Sequence, residues 1–104
     1  VSARHTPGLW AARGPFNETI GTLQEPSFEI SSPDVSVAFV FYPHKDVEAR
    51  EAARADARLI AAAPELLEAL EALESEAAAM FSPDESHWKD VERARAAIAK
   101  ARGK

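Results

Sequence analysis

Val35-Ser36-Val37-Ala38-Phe39-Val40-Phe41-Tyr42 is the stretch that decides the fold. Val35, Val37, Phe39 and Phe41 alternate with Ser36, Ala38, Val40 and Tyr42. A period of two is that of an extended chain, whose successive side chains point to opposite faces of a sheet. Both faces are apolar enough to predict a central strand, covered on one side by helices. Ser32-Pro33-Asp34 reads as the turn leading in, and Pro43 ends the strand because it has no N–H for a ladder. Moving towards the N-terminus, Ser27–Ser31 and Ile20–Gln24 are weaker strand candidates separated by Glu25-Pro26, and Leu9–Arg13 is a candidate edge strand. Together they predict a β-meander of three to four antiparallel strands.

Beyond His44 the chain changes character. Pro7, Pro15, Pro26, Pro33 and Pro43, five of the seven prolines, lie in residues 1–44, whereas residues 45–104 are rich in Ala, Glu, Leu and Arg, strong helix formers. Asp46 is the expected N-cap of a helix over residues 47–62. Pro64 cannot donate to Ile60 and disfavours helix at Ala63, so a break or kink is expected there, with a second helix over 65–80. Leu66, Leu67, Leu70, Leu73, Ala77 and Met80 form its seam at spacings of three and four. Ser82-Pro83-Asp84-Glu85 has the pattern of a capping box, predicting a third helix over 83–101 with Trp88, Val91, Ala94, Ile98 and Ala101 on one face. Lys100, Arg102 and Lys104 suit the negative end of its dipole. The expected fold is therefore α+β, an N-terminal meander over 1–44 packed against a C-terminal helical unit over 45–104 that ends in an antiparallel hairpin. These are layers of a single domain, 1–104, since neither could bury its apolar face alone.

The 104 residues carry 46% apolar side chains, the share of a globular chain rather than a disordered one. The absence of cysteine removes disulfides and thiolate metal sites, and fits a reducing cytosol. No apolar run approaches the roughly 18 residues of a membrane span. A formal charge of −5 argues against non-specific nucleic-acid binding.

No residue pattern here predicts catalysis. His5, His44 and His87 are not at metal-ligand spacing from one another, no serine sits in a G-x-S-x-G turn, and the four glycines form no phosphate loop. The expectation is a protein that is not an enzyme and holds neither cofactor nor metal.

Two charge patterns stand out instead. Arg50, Arg54 and Arg58 recur every four residues on the first predicted helix. Like charges at that spacing repel by a few tenths of a kcal/mol, and Asp46 and Glu51 are placed to offset it. The plainer account is a salt-bridged solvent face. The functional account is an anion-binding ridge, because guanidinium forks match phosphate oxygens, with Trp10, Phe41 or Tyr42 as aromatic partners for a base. Glu65, Glu68, Glu71, Glu74 and Glu76 make the next helix acidic, with no Lys or Arg between Glu65 and His87. The later acids among these lack partners within the helix. The plainer account is solubility, and the functional one is a negative strip, Glu68, Glu71, Glu74 and Glu76, that meets a basic groove on a protein partner.

Two stretches carry a resemblance. His5-Thr6-Pro7-Gly8-Leu9-Trp10 resembles the "HTPGPW" opening of small phage and prophage proteins, and the run from Ala55 to Leu70 is similar to their "ANARLIAAAPELLEAL" segment. Leu9 stands where that family usually has proline, and Asp56 where it has asparagine. The resemblance implies a phage accessory protein in the cytoplasm of an infected bacterium. By analogy of architecture it implies one that counters a host defence by binding, with Arg50, Arg54, Arg58, Asp56, Trp10 and Tyr42 around a small nucleotide signal. The alternatives are an anti-CRISPR protein that binds an effector through its acidic helix, and a structural or regulatory phage protein. Self-association, at least to a dimer, is also expected, because the apolar sheet and leucine seam exceed what one small domain needs to bury.

Overall fold

A computed structural model of the chain describes residues 5–16 and 25–104. Three strands, β1 (Ala11–Phe16), β2 (Ser27–Ser31) and β3 (Ser36–Phe41), are followed by two helices, α1 (Val47–Met80) and α2 (Trp88–Ala101). The α+β fold, meander first and helices after, is as the sequence predicts. The strand expected at Ile20–Gln24 lies outside the described residues.

The chain divides into two compact units, one containing His5–Pro64 and the other Glu65–Lys104. The first comprises the sheet and the N-terminal half of α1. Its strands pair antiparallel in the order β1-β2-β3. Phe28 lies opposite Val40 and Ile30 opposite Ala38, which puts these four on one face. That face packs on Ala53 and Ala57 of α1, residues four apart and hence on one side of the helix. Ile30 and Ala57 are fully buried, at 0% exposure. Small alanines let the helix backbone approach the sheet closely enough for Phe28, Ile30 and Tyr42 to fill the space between them. At Gly14, φ is 126° and a Cβ would stand 3.0 Å from the Ser27 carbonyl oxygen, so glycine is needed where β1 shifts register against β2.

Among the described residues the alternating strand is an edge strand of the sheet rather than the central one expected. The tight Ser32–Val35 turn, closed by a 2.9 Å bond from the Ser32 N–H to the Val35 carbonyl, folds β3 directly back on β2. The middle strand in sequence thereby becomes the middle strand in space. Phe39 and Phe41 are consequently half exposed on the outer face, at 50% and 59%, and stack at 6.2 Å between ring centres. The first strand begins two residues later than expected, at Ala11 instead of Leu9.

Asp46 does cap α1: its Oδ1 accepts the Ala49 N–H at 2.9 Å. Of the break or kink expected at Pro64, the break does not occur, and a single 34-residue helix runs through it. An interior proline costs about 3 kcal/mol because the Ile60 carbonyl loses its donor. Packing on both sides offsets that cost, with Ala53 and Ala57 buried before Pro64 and the α1–α2 hairpin after it. Of the two to three helices expected, two form, because the segments on either side of Pro64 are one helix.

The second unit is that hairpin. Ser82-Pro83-Asp84-Glu85 does not start α2 as a capping box. The Ser82 hydroxyl and the Glu85 carboxylate bond to each other at 3.3 Å. Backbone bonds from Glu85 to Ser82 and from Trp88 to Glu85 then make successive i→i+3 turns. Helix α2 begins only at Trp88. It closes through Gly103, at φ 77°, with N–H bonds from Gly103 to the Lys100 carbonyl and from Lys104 to that of Ala99, the paired bonds of a Schellman end.

Candidate functional site

The junction between β3 and α1 carries a cleft of about 160 Å³. Pro43 stops the strand, and the chain then turns so that Asp46 can cap the helix, with the Asp46 N–H bonding back to the Pro43 carbonyl at 3.3 Å. The turn holds Lys45 at φ 62°, a left-handed conformation that costs a non-glycine residue roughly 1–2 kcal/mol. Tyr42, His44, Lys45, Asp46 and Arg50 line the cleft with buried Pro26. The Asp46 carboxylate serves the helix cap, and Tyr42, only 4% exposed, belongs to the core. Lys45 and Arg50 bring two cations to a lining that also holds the Asp46 carboxylate. Sites that enclose drug-sized ligands run to roughly 300–1,000 Å³, so this cleft suits one phosphate-sized group better than a whole nucleotide.

Of the residues singled out for ligand binding, the structure brings Tyr42 and Arg50 together here. Arg54 is occupied differently: its guanidinium lies 5.0 Å from the centre of the Phe28 ring, and its Nε is 3.5 Å from Glu51. Arg50 Nε stands 3.5 Å from the same carboxylate, so Glu51 serves two arginines of the ridge. Arg58 is exposed further along α1. Asp56, two residues before it, lies roughly 200° round the helix and belongs to another face. Trp10 packs on the hydrophobic core, donates its indole N–H to the Thr6 carbonyl at 3.0 Å and meets the His5 ring edge-on. It is outside the cleft lining. His44 and Lys45 were not among the predicted contacts. Their signal was a pair of basic side chains between a strand-ending proline and a helix cap.

The acidic strip is divided. Glu71 and Glu74, which have no partner within their own helix, find one outside it, for Arg102 Nη2 reaches Glu71 at 2.5 Å and Arg95 Nε reaches Glu74 at 2.5 Å. Arg95 comes from α2 and Arg102 from its C-cap, and the antiparallel hairpin sets them opposite the acids. Glu68 and Glu76 are exposed. Beside Glu74, a second cleft of about 220 Å³ opens between α1 and α2, lined by Leu70, Leu73, Ala77, Phe81, Val91 and Ala94, with His87 and Asp90 at its edge. Among the described residues no group of three or more His, Asp or Glu side chains could hold a metal ion, and no helix is long and apolar enough to cross a membrane.

The whole chain, residues 1–104, matches the model of the family described as Salmonella phage P22 protein Y8K6. The chain belongs to this family. Membership in this phage family agrees with the origin implied by His5–Trp10 and Ala55–Leu70, and says nothing of a ligand. No curated protein and no solved structure matches the chain.

Proposed function

We propose that the chain is a non-enzymatic, phage-encoded binding protein that counters a bacterial defence by sequestering a nucleotide immune signal. The observation carrying this reading is the cleft itself: Lys45 and Arg50 line, with Tyr42, His44 and the helix-capping Asp46, a space sized for one phosphate. A guanidinium and an ammonium bind phosphate oxygens through charge-assisted hydrogen bonds, which are stronger than neutral ones. The strained backbone at Lys45 gives further support, because strain of this kind clusters at ligand clamps. In this reading a phosphate enters the cleft and the sugar and base remain largely outside it.

Calorimetry against cyclic nucleotides and inorganic phosphate tests the proposal. Lys45→Ala and Arg50→Ala are each expected to weaken a bound nucleotide by about 1.5–3 kcal/mol, the worth of a hydrogen bond to a charged group. Arg58→Ala, on exposed helix, is expected to leave the affinity unchanged. Failure of every nucleotide to bind, or equal losses at Arg58 and Lys45, would refute it.

A further inference from the structure

The unit containing Glu65–Lys104 leaves an apolar stripe uncovered. Leu66, Leu73 and Met80 are spaced by seven and exposed at 52%, 63% and 75%. A spacing of seven returns a side chain to nearly the same side of a helix, within about 20° per step. Ala69, also exposed, lies between the first two and keeps the stripe smooth. The stripe is roughly 21 Å long at 1.5 Å per residue, which is the reach of four turns of a facing helix. Leu73 belongs both to this stripe and to the cleft formed with Leu70, Ala77, Phe81, Val91 and Ala94. The surface thus has the two parts of a helix-receiving groove: a track for apolar side chains at spacings of three, four and seven, and a recess for one larger anchor.

The charge along this track is one-sided. From Glu65 to Met80 there are five glutamates and no Lys or Arg. Arg95 and Arg102 engage Glu74 and Glu71 on the side facing α2. Glu65 and Glu76 lie on the other side, both exposed. Glu76 is three residues after Leu73 and four before Met80, and Glu65 is four before Ala69, so both border the stripe. A second copy of the same segment would bring only more glutamates to that border. A helix with lysine or arginine along one edge would match it.

We propose that the Leu66–Leu73–Met80 stripe, the adjoining cleft and the Glu65–Glu76 border dock one amphipathic helix of a partner protein, with its apolar stripe on the leucines and its basic edge on the glutamates. The proposal concerns the helical unit and stands or falls independently of the Lys45–Arg50 cleft.

The probe is a fluorescein-labelled synthetic helix of about 16 residues, long enough to follow the stripe, with leucines at helical spacing and lysines on one edge. Its control carries glutamate in place of each lysine. Fluorescence anisotropy with the full chain is expected to show saturable binding of the lysine peptide and at least about tenfold weaker binding of the control. Leu73→Ser with Met80→Ser, and separately Glu65→Lys with Glu76→Lys, are each expected to weaken the lysine peptide at least about tenfold. All four positions are exposed, and circular dichroism confirms that helix content is retained. No binding, equal binding of both peptides, or indifference to Leu73→Ser with Met80→Ser would overturn the proposal. So would a sedimentation mass that falls on Leu73→Ser with Met80→Ser, since the occupant would then be a second copy.

Discussion

The two units are stabilised in different ways. In the unit containing His5–Pro64, a sheet face and a helix enclose Phe28, Ile30, Tyr42, Ala53 and Ala57, all 4% exposed or less. In the hairpin only Val91 is buried to that degree, and Arg95–Glu74 and Arg102–Glu71 join the helices beside the apolar seam. A sheet covers a helix broadly enough to exclude water from several side chains at once. Two helices meet along one seam and leave the side chains beside it wet. Burial is worth about 25 cal/mol per Å² of apolar surface, whereas solvent-exposed ion pairs contribute about 0–1 kcal/mol. The first unit should therefore be the stable one, and the hairpin the region that opens locally.

The sharpest way to break this contrast is to cut the core of each unit. Ile30→Ala is expected to cost about 2–5 kcal/mol, because it removes a fully buried side chain and leaves a cavity. Val91→Ala should cost less, at most about 1.5–3 kcal/mol, the value of burying a valine side chain completely. Urea denaturation reads both, and equal losses would mean that the units share one level of stability. Next in size is Asp46→Ala, which removes the Ala49 cap and should lower stability by about 0.5–2 kcal/mol. Amide exchange should register that loss first in the opening turn of α1. Smallest is Arg95→Ala, expected to cost below about 1 kcal/mol since the arginine is half exposed. A larger loss in thermal denaturation would show that the ion pairs, and not the seam, hold the hairpin.

Much of this fold was legible in local patterns. Ser27–Ser31 and the alternation through Phe41 marked β2 and β3, and Asp46 marked the start of α1. The misreadings share a cause: a local preference overruled by packing. Pro64 usually ends a helix, but helical contacts on both its flanks carry α1 through it. Ser82 and Glu85 are spaced for a capping box, yet they satisfy each other and α2 starts at Trp88. The place of β3 at the edge depended on strand order, which no strand records within itself. At the candidate site, Tyr42 and Arg50 were found from residue type and spacing. His44 and Lys45 were missed because their one signal, two basic residues between Pro43 and Asp46, does not reveal the turn that brings them beside Tyr42 and Arg50. The partners of Glu71 and Glu74 were likewise invisible along their own helix, since they lie on α2 and at its C-cap.

The position of β3 also bears on how the protein behaves in the test tube. Among the described residues its outer edge has no neighbouring strand, and Ser36–Phe41 contains no charge and no proline to discourage one. What keeps such edges apart in solution is long-range repulsion between molecules, and the net charge of −5 supplies it at neutral pH. That repulsion vanishes near the isoelectric point, at about pH 5.1. Mildly acidic buffers, or high salt that screens the same field, are therefore the conditions under which this protein is most prone to precipitate.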